Sequence, residues 1–222
     1  MVTSVDTSTS ATDINLHIPS GEDAGTQTES SELLRGGGMR LVTGGTCLTP
    51  EFATEADGDA FYAMGNNTAF AIWVKFPSVV AQGRLISKQG SYYVALTVND
   101  QLRFRFFGTP TLNIYVPYVP DVWTHWAFTY DGSNLKVFEN GELVRTVSFR
   151  NMGDNVNPLY FFCRAGSTLE KLPGDTEVAW MQMLFGGYWT DEQVREIYIG
   201  RAYLTPGNTE GYVNANFVET LV

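Results

Sequence analysis

Cysteine, histidine and lysine are scarce in this chain. Two cysteines, Cys47 and Cys163, cannot build the multi-bridge framework of a small secreted scaffold or a thiolate zinc centre. Two histidines, His17 and His125, add little to complete a soft-ligand metal site. Basic residues are few as well: four lysines and ten arginines face 24 acidic residues, for a net charge of −10. That balance argues against a nucleic-acid partner. No stretch approaches the roughly 18 apolar residues of a membrane span, which argues against membrane insertion. The first thirty residues also lack the basic start and apolar run of a secretory signal, so the expectation is a soluble chain synthesised without a signal peptide. What the chain does have is aromatic surface. Fourteen Phe, eleven Tyr and five Trp among 222 residues, with 44% of the chain hydrophobic, are enough to fill one large core.

Hydropathy patterning divides the chain into three parts. Residues 1–37 form a Ser/Thr-rich acidic stretch with no Phe, Tyr, Trp or Lys, closed by Gly36-Gly37-Gly38 as a hinge. Such a segment cannot bury enough apolar surface to offset the entropy of ordering it, so a flexible, solvated arm is expected. Its one alternating run, Ile14, Leu16 and Ile18, leaves open a docking role in which the arm adds a strand to a neighbour. Residues 38–205 are read as the globular domain, with 206–222 as a C-terminal extension that ends in a strand. Within the domain, strands of five to eight residues alternate with Gly, Asn, Asp and Pro. In TAFAIWVKF (68–76), Phe70, Ile72, Val74 and Phe76 share one face, while Ala69, Ala71, Trp73 and Lys75 share the other. In LRFRFF (102–107), Leu102, Phe104 and Phe106 point inward and Arg103 and Arg105 outward, as in a sheet with one wet face. Asp131-Gly132 and Asn140-Gly141 supply turns that need positive φ. A short helix follows, in which Thr190 and Gln193 form a capping box, Trp189 staples against Val194, and Val194, Ile197 and Tyr198 make one apolar stripe. The pattern predicts an all-β, two-sheet antiparallel sandwich with one C-terminal helix lying as a lid on a sheet edge.

Three segments in fixed order carry a family resemblance. The first is AFAIWVKF (69–76) with GRLISKQGSYYVALTV (83–98), similar to paired core strands joined through an Ile-x-Lys step. WTHWAFTYDGSNLKVFENGELV (123–144) follows, with its Trp, His, hydrophobic strand, Tyr-Asp-Gly and terminal Asn-Gly. The third is YWTDEQVREIY (188–198), like the short helix that closes such domains. Together they resemble the laminin-G-like, concanavalin A-type jelly roll shared by laminin G modules, pentraxins and legume lectins.

Catalytic patterns are incomplete. Glucanases of this broad fold use a Glu-x-Asp-x-x-Glu run, and Glu55-Ala56-Asp57-Gly58-Asp59 begins that way but has Ala60 where the second Glu belongs. No Gly-x-Ser-x-Gly elbow occurs. Calcium is the one cofactor the sequence leaves open: Asp57 and Asp59, or Asp154 and Asp175, are candidate hard-cation ligands, with solvated loops as the alternative. For a ligand, Asp154, Asn155 and Asn157 offer polar groups on one rim loop, and Tyr92, Tyr115 and Tyr118 are the candidate exposed aromatics. Trp73, Trp123, Trp126, Trp180 and Trp189 are read as core, as is His125. Cys163, after Tyr160-Phe161-Phe162, is read as a buried free thiol.

The resemblance implies a non-enzymatic, lectin-like module that recognises a glycan or a protein surface through rim loops. A different reading is a structural or decoration protein with no ligand, held by its arm to capsid or tail proteins or to another copy of itself. Domains of this family act mostly outside cells, and the lack of a signal makes the surface of a virus or phage particle the location that accommodates both facts. On either reading the full chain is expected to release no reducing sugar from a panel of β-glucans. Release that Glu55→Gln abolishes would contradict this.

Overall fold

The computed structural model describes residues 12–17, 31–33, 39–41, 48–51, 67–78, 82–153, 155–164, 170–199 and 216–219, with backbone alone in the strands outside 67–199 and at 179, 180 and 185. Fifteen strands and one helix are formed among these residues. The first sheet runs β12 (Glu142–Ser148), β11 (Asn134–Glu139), β10 (Trp123–Tyr130), β5 (Thr68–Lys75), β14 (Glu177–Phe185), β3 (Met39–Leu41) and β2 (Ser31–Leu33). An eighth strand, β1 (Thr12–His17), also pairs with β14. The second sheet runs β15 (Asn216–Glu219), β4 (Leu48–Glu51), β13 (Leu159–Phe161), β6 (Gly83–Lys88), β7 (Tyr92–Thr97), β8 (Gln101–Phe106) and β9 (Leu112–Pro117). Every pairing is antiparallel, and the two inner faces enclose one core, so the expected jelly-roll sandwich is the architecture observed.

Period-two alternation builds that core. Phe70, Ile72 and Val74 of β5 meet Val94 and Leu96 of β7 and Leu102, Phe104 and Phe106 of β8 in one buried cluster. Phe128 of β10 sits at its centre and is wholly buried. Its ring lies 5.9 Å from Phe70 within its own sheet, and 5.6 Å from Tyr92 and 5.4 Å from Phe106 across the sandwich. The two cross-sheet contacts are edge-on, the arrangement the ring quadrupoles favour.

The outer face of the first sheet is closed by α1 (Asp191–Ile199). Ala69, Ala71 and Ala127 are small enough to let the helix approach, and Trp189, Val194 and Ile197 pack on them with Phe138 and Leu184. The helix therefore covers a sheet face, where an edge was expected, because its stripe meets the alanine row. The capping box forms as the sequence indicates: the Thr190 N–H donates to Gln193 Oε1 at 2.8 Å, and the Gln193 N–H to Thr190 Oγ1 at 3.2 Å. Lys136 of β11 pairs with Asp191 at the helix start. The β11–β12 hairpin turns on Asn140 (φ +50) and Gly141 (φ +80), and a Cβ on Gly141 would meet Tyr198 at 2.9 Å. His125 is fully buried in this layer between Trp73, 5.7 Å away, and Tyr198, 5.6 Å away.

Both termini contribute paired strands. Part of the arm is paired strand. β3 covers only Glu177 and Val178 on its side of β14, and β1 takes up the rest of that edge, with Ile14 opposite Met183 and Leu16 opposite Met181. An edge with free N–H and C=O groups is a template for an alternating segment, and here the chain's own segment fills it. Ile18 and the remainder of residues 1–30 lie outside the described residues. At the other end, Asn216–Glu219 pairs with β4, so part of the extension belongs to the second sheet. No described helix is long and apolar enough to cross a membrane.

Two stability measurements follow. Phe128→Ala removes the ring that joins both sheets and is expected to cost about 3–5 kcal/mol in urea unfolding. A loss under about 1 kcal/mol would show that other contacts hold the sheets together. His125 gives a pH effect: burial lowers its imidazole to about 4. The unfolded chain takes up that proton near the unperturbed value of about 6.5, so stability is unaffected above that pH and falls as pH drops towards 4, by at most about 3 kcal/mol. The difference in stability between His125→Phe and the parent should therefore change across this window, and a constant difference would contradict a buried neutral imidazole.

Candidate functional site: an arginine-lined pocket on the second sheet

The outer face of the second sheet has no helix over it among the described residues. Side chains opposite in parity to the core form two rows there. Register places Arg84, Ala95, Arg103 and Tyr115 in one row across β6–β9, and Ser87, Tyr93, Arg105 and Asn113 in the next. A shift in register between Arg84 and Ile86 marks a bulge that sends Leu85 and Ile86 both into the core and leaves Arg84 outside.

Between these rows lies a pocket of about 340 Å³. Its walls carry five cations, Arg84, Lys88, Arg103, Arg105 and Arg164, and one carboxylate, Glu170. Tyr93 lies at the centre of the cationic groups: the Arg84 guanidinium stacks 3.4 Å from its ring centroid, Arg103 sits at 5.0 Å and Arg105 at 5.9 Å. Arg105 also lies 4.9 Å from the Phe107 ring. Glu170 takes the Arg84 Nε–H at 2.9 Å and Arg84 Nη2 at 2.8 Å on one oxygen, and Arg164 Nη1 at 3.4 Å on the other. The backbone fixes this geometry, because the Arg84 N–H donates to the Glu170 carbonyl and the Phe162 N–H to that of Leu85. Burial pulls the Arg84 guanidinium below its ordinary value, and the charge of Glu170 works against that. Arg103 and Arg105 have no carboxylate partner among the described residues, and the buried Nε of each has no hydrogen-bond acceptor.

The candidate residues separate on this map. Tyr115 is 46% exposed and stands opposite Arg103 on the pocket face. Tyr92 is corrected to core: it shares parity with Val94 and Leu96 and stacks on Phe106 at 5.9 Å. Tyr118 is also corrected to core, because it continues the inward series Ile114 and Val116 and packs edge-on against Phe76 at 5.3 Å. Its hydroxyl donates to the Pro77 carbonyl at 3.1 Å, and burial, with the Asp100 carboxylate nearby, pushes its phenol well up. Asn155 and Asn157 clamp the β6–β7 turn, each Nδ2 donating to the Gln89 carbonyl, at 3.0 and 2.9 Å. That turn needs Gly90 at φ +81, where a Cβ would meet Asn155 Nδ2 at 2.8 Å. The two amides therefore shape the pocket wall, to which Gln89 and Gly90 belong.

Asp57, Asp59 and Asp154, with Glu55, lie outside the described residues. Asp175 is exposed in a turn at φ +66. Among the described residues no three His, Cys, Asp or Glu side chains converge on a metal position. Trp123 is corrected from core to partly exposed, at 38%, with Lys75 5.8 Å from its ring, and the Trp180 side chain lies outside the description. Cys163 is buried but disulfide-bonded, which corrects the free thiol. The sequence reading recognised Arg103 and Arg105 as outward-facing without reading them as a site. Arg84, Tyr93 and Glu170 it missed, although the parity of Val94 and Leu96 already turns Tyr93 outward.

Residues 52–174 match the laminin-G-like model of the concanavalin A-like lectin/glucanases superfamily, and the chain belongs to that family. No curated protein matches the sequence. Among known structures, the receptor binding domain of botulinum neurotoxin C/D mosaic serotype is similar at a TM-score of 0.59 and 10% identity, covering 90% of this chain and 51% of that one. The CBM40 of the Ruminococcus gnavus IT-sialidase, bound to α2,3-sialyllactose, is similar at a TM-score of 0.56 and 16% identity, over 73% of this chain and 96% of that one. Botulinum neurotoxin type C, which depends for entering cells on interaction with two ganglioside molecules, is similar at 0.55 and 11%, over 91% and 51%. The chain thus spans about half the length of the toxin chains it matches. At these identities the likeness is one of fold.

Proposed function

We propose that this protein is a non-catalytic glycan-binding module and that the arginine-lined pocket on the second sheet is its binding site. The observation that carries the reading is the pocket itself. It is a depression of about 340 Å³ on the sandwich face that no described helix covers, with forked donors above a stacked tyrosine and Phe107 at its side. Sugars present hydroxyl groups and apolar ring faces, and planar donors beside an aromatic ring meet both. Similar domains in the CBM40 and the type C toxin bind sialyllactose and gangliosides, which supports a glycan as the partner class. The disulfide at Cys163 supports work in an oxidising compartment, as for a module that meets glycans outside cells.

The test is a glycan array probed with the full chain. At least one glycan group should be retained, and Phe107→Ala should weaken its binding roughly three- to tenfold, the range for loss of one aromatic contact. An array with no retained glycan would contradict the reading.

A further inference from the structure

The charge in this pocket is out of keeping with the rest of the chain. A protein of net charge −10 gathers five of its 14 basic side chains around one depression, with a single carboxylate among the described residues of its wall. Resting on the glycan reading above, we infer that the pocket selects an anionic sugar, one bearing a carboxylate or a sulfate, and that Arg103 and Arg105 receive the charge.

Glu170 is already engaged, since both of its oxygens are taken by Arg84 and Arg164. Arg84 is thereby paired and held over the Tyr93 ring, so it acts as structure. Arg103 and Arg105 remain charged with no counter-ion among the described residues. The buried Nε of each lacks an acceptor, a condition that costs free energy until an oxygen arrives. Two residues apart on one strand face, their Cα atoms lie about 7 Å apart, so one sugar residue can engage both. Tyr93 lies beside both guanidinium groups, and its hydroxyl is 3.5 Å from Arg105 Nη1. Side chains held in this way lose less entropy on binding, and the arginine fork fits the paired oxygens of a carboxylate or sulfate.

The experiment is calorimetry on the full chain with three matched probes: 3′-sialyllactose, 3′-sulfolactose and lactose. At least one anionic probe should bind ten or more times more tightly than lactose, weakening as salt is raised. Arg103→Ala and Arg105→Ala should each reduce that binding at least about tenfold, with melting temperature kept as the check on folding. Arg103→Lys keeps the charge but loses the fork and should give an intermediate loss, while Arg145→Ala, on exposed β12, should change nothing. Preference for sialyllactose over sulfolactose assigns the anion as a carboxylate, and the reverse assigns a sulfate. Lactose binding as tightly as both anionic probes, or array binding to neutral glycans alone, would overturn the inference and leave the glycan reading standing. Failure of every probe together with an empty array would overturn both. Tight binding of a short DNA duplex that Arg103→Ala abolishes would overturn the inference in favour of a nucleic-acid site.

Discussion

The structure depends on the parity of strand β8. Leu102, Phe104 and Phe106 must enter the core, and the two-residue period then leaves Arg103 and Arg105 no direction but outward. Pairing with β7 and β9 carries the same parity across the sheet, setting Tyr93 beside Arg105 and Tyr115 beside Arg103. A slip of one residue would bury two guanidinium groups and expose three large apolar side chains, so the core enforces the register and the register builds the pocket. Phe128 is the contact through which the first sheet holds this arrangement, since its ring meets Tyr92, Phe104 and Phe106 on the opposite layer.

The two outer faces have different fates for a related reason. On the first sheet, the row Ala69, Ala71 and Ala127 offers a shallow apolar surface that one nine-residue helix closes. On the second, the equivalent positions carry long cationic side chains whose heads gather over Tyr93. Glu170 eases part of the repulsion among the five cations, by pairing with Arg84 and Arg164. Arg103 and Arg105, with no carboxylate partner among the described residues, leave a positive field over this face.

Much of this was legible in the sequence. The in-and-out pattern of residues 68–76 and 102–107, the positive-φ turn at Asn140-Gly141 and the Thr190–Gln193 box all rest on spacings of a few residues, and each is present in the fold. The site was less legible because its parts are distant in sequence. Arg84 meets Glu170 across 86 residues, and nothing local marks either as a partner. Tyr92 and Tyr93 are both buried and differ only by parity: the ring that enters the core was chosen as the candidate, and the one beneath the arginines of the pocket was passed over. Tyr118 was misread for a similar reason: the two prolines around it suggest a loop, but it continues the inward series of β9. Asn155 and Asn157 do lie on a rim loop, and what the sequence could not show is that their amides are turned onto the Gln89 carbonyl.

Recognition on this sheet face would move the signals of particular side chains. The most direct measurement is nuclear magnetic resonance of the isotope-labelled full chain titrated with 3′-sialyllactose, following the arginine Nε–H signals beside the backbone amides. The Nε–H signals of Arg103 and Arg105 should move as they gain an acceptor, with amide shifts confined to β6, β7, β8 and the Gln89–Gly90 turn. Shifts confined instead to the rim around Val119 and Trp123, with both arginine signals unmoved, would contradict it.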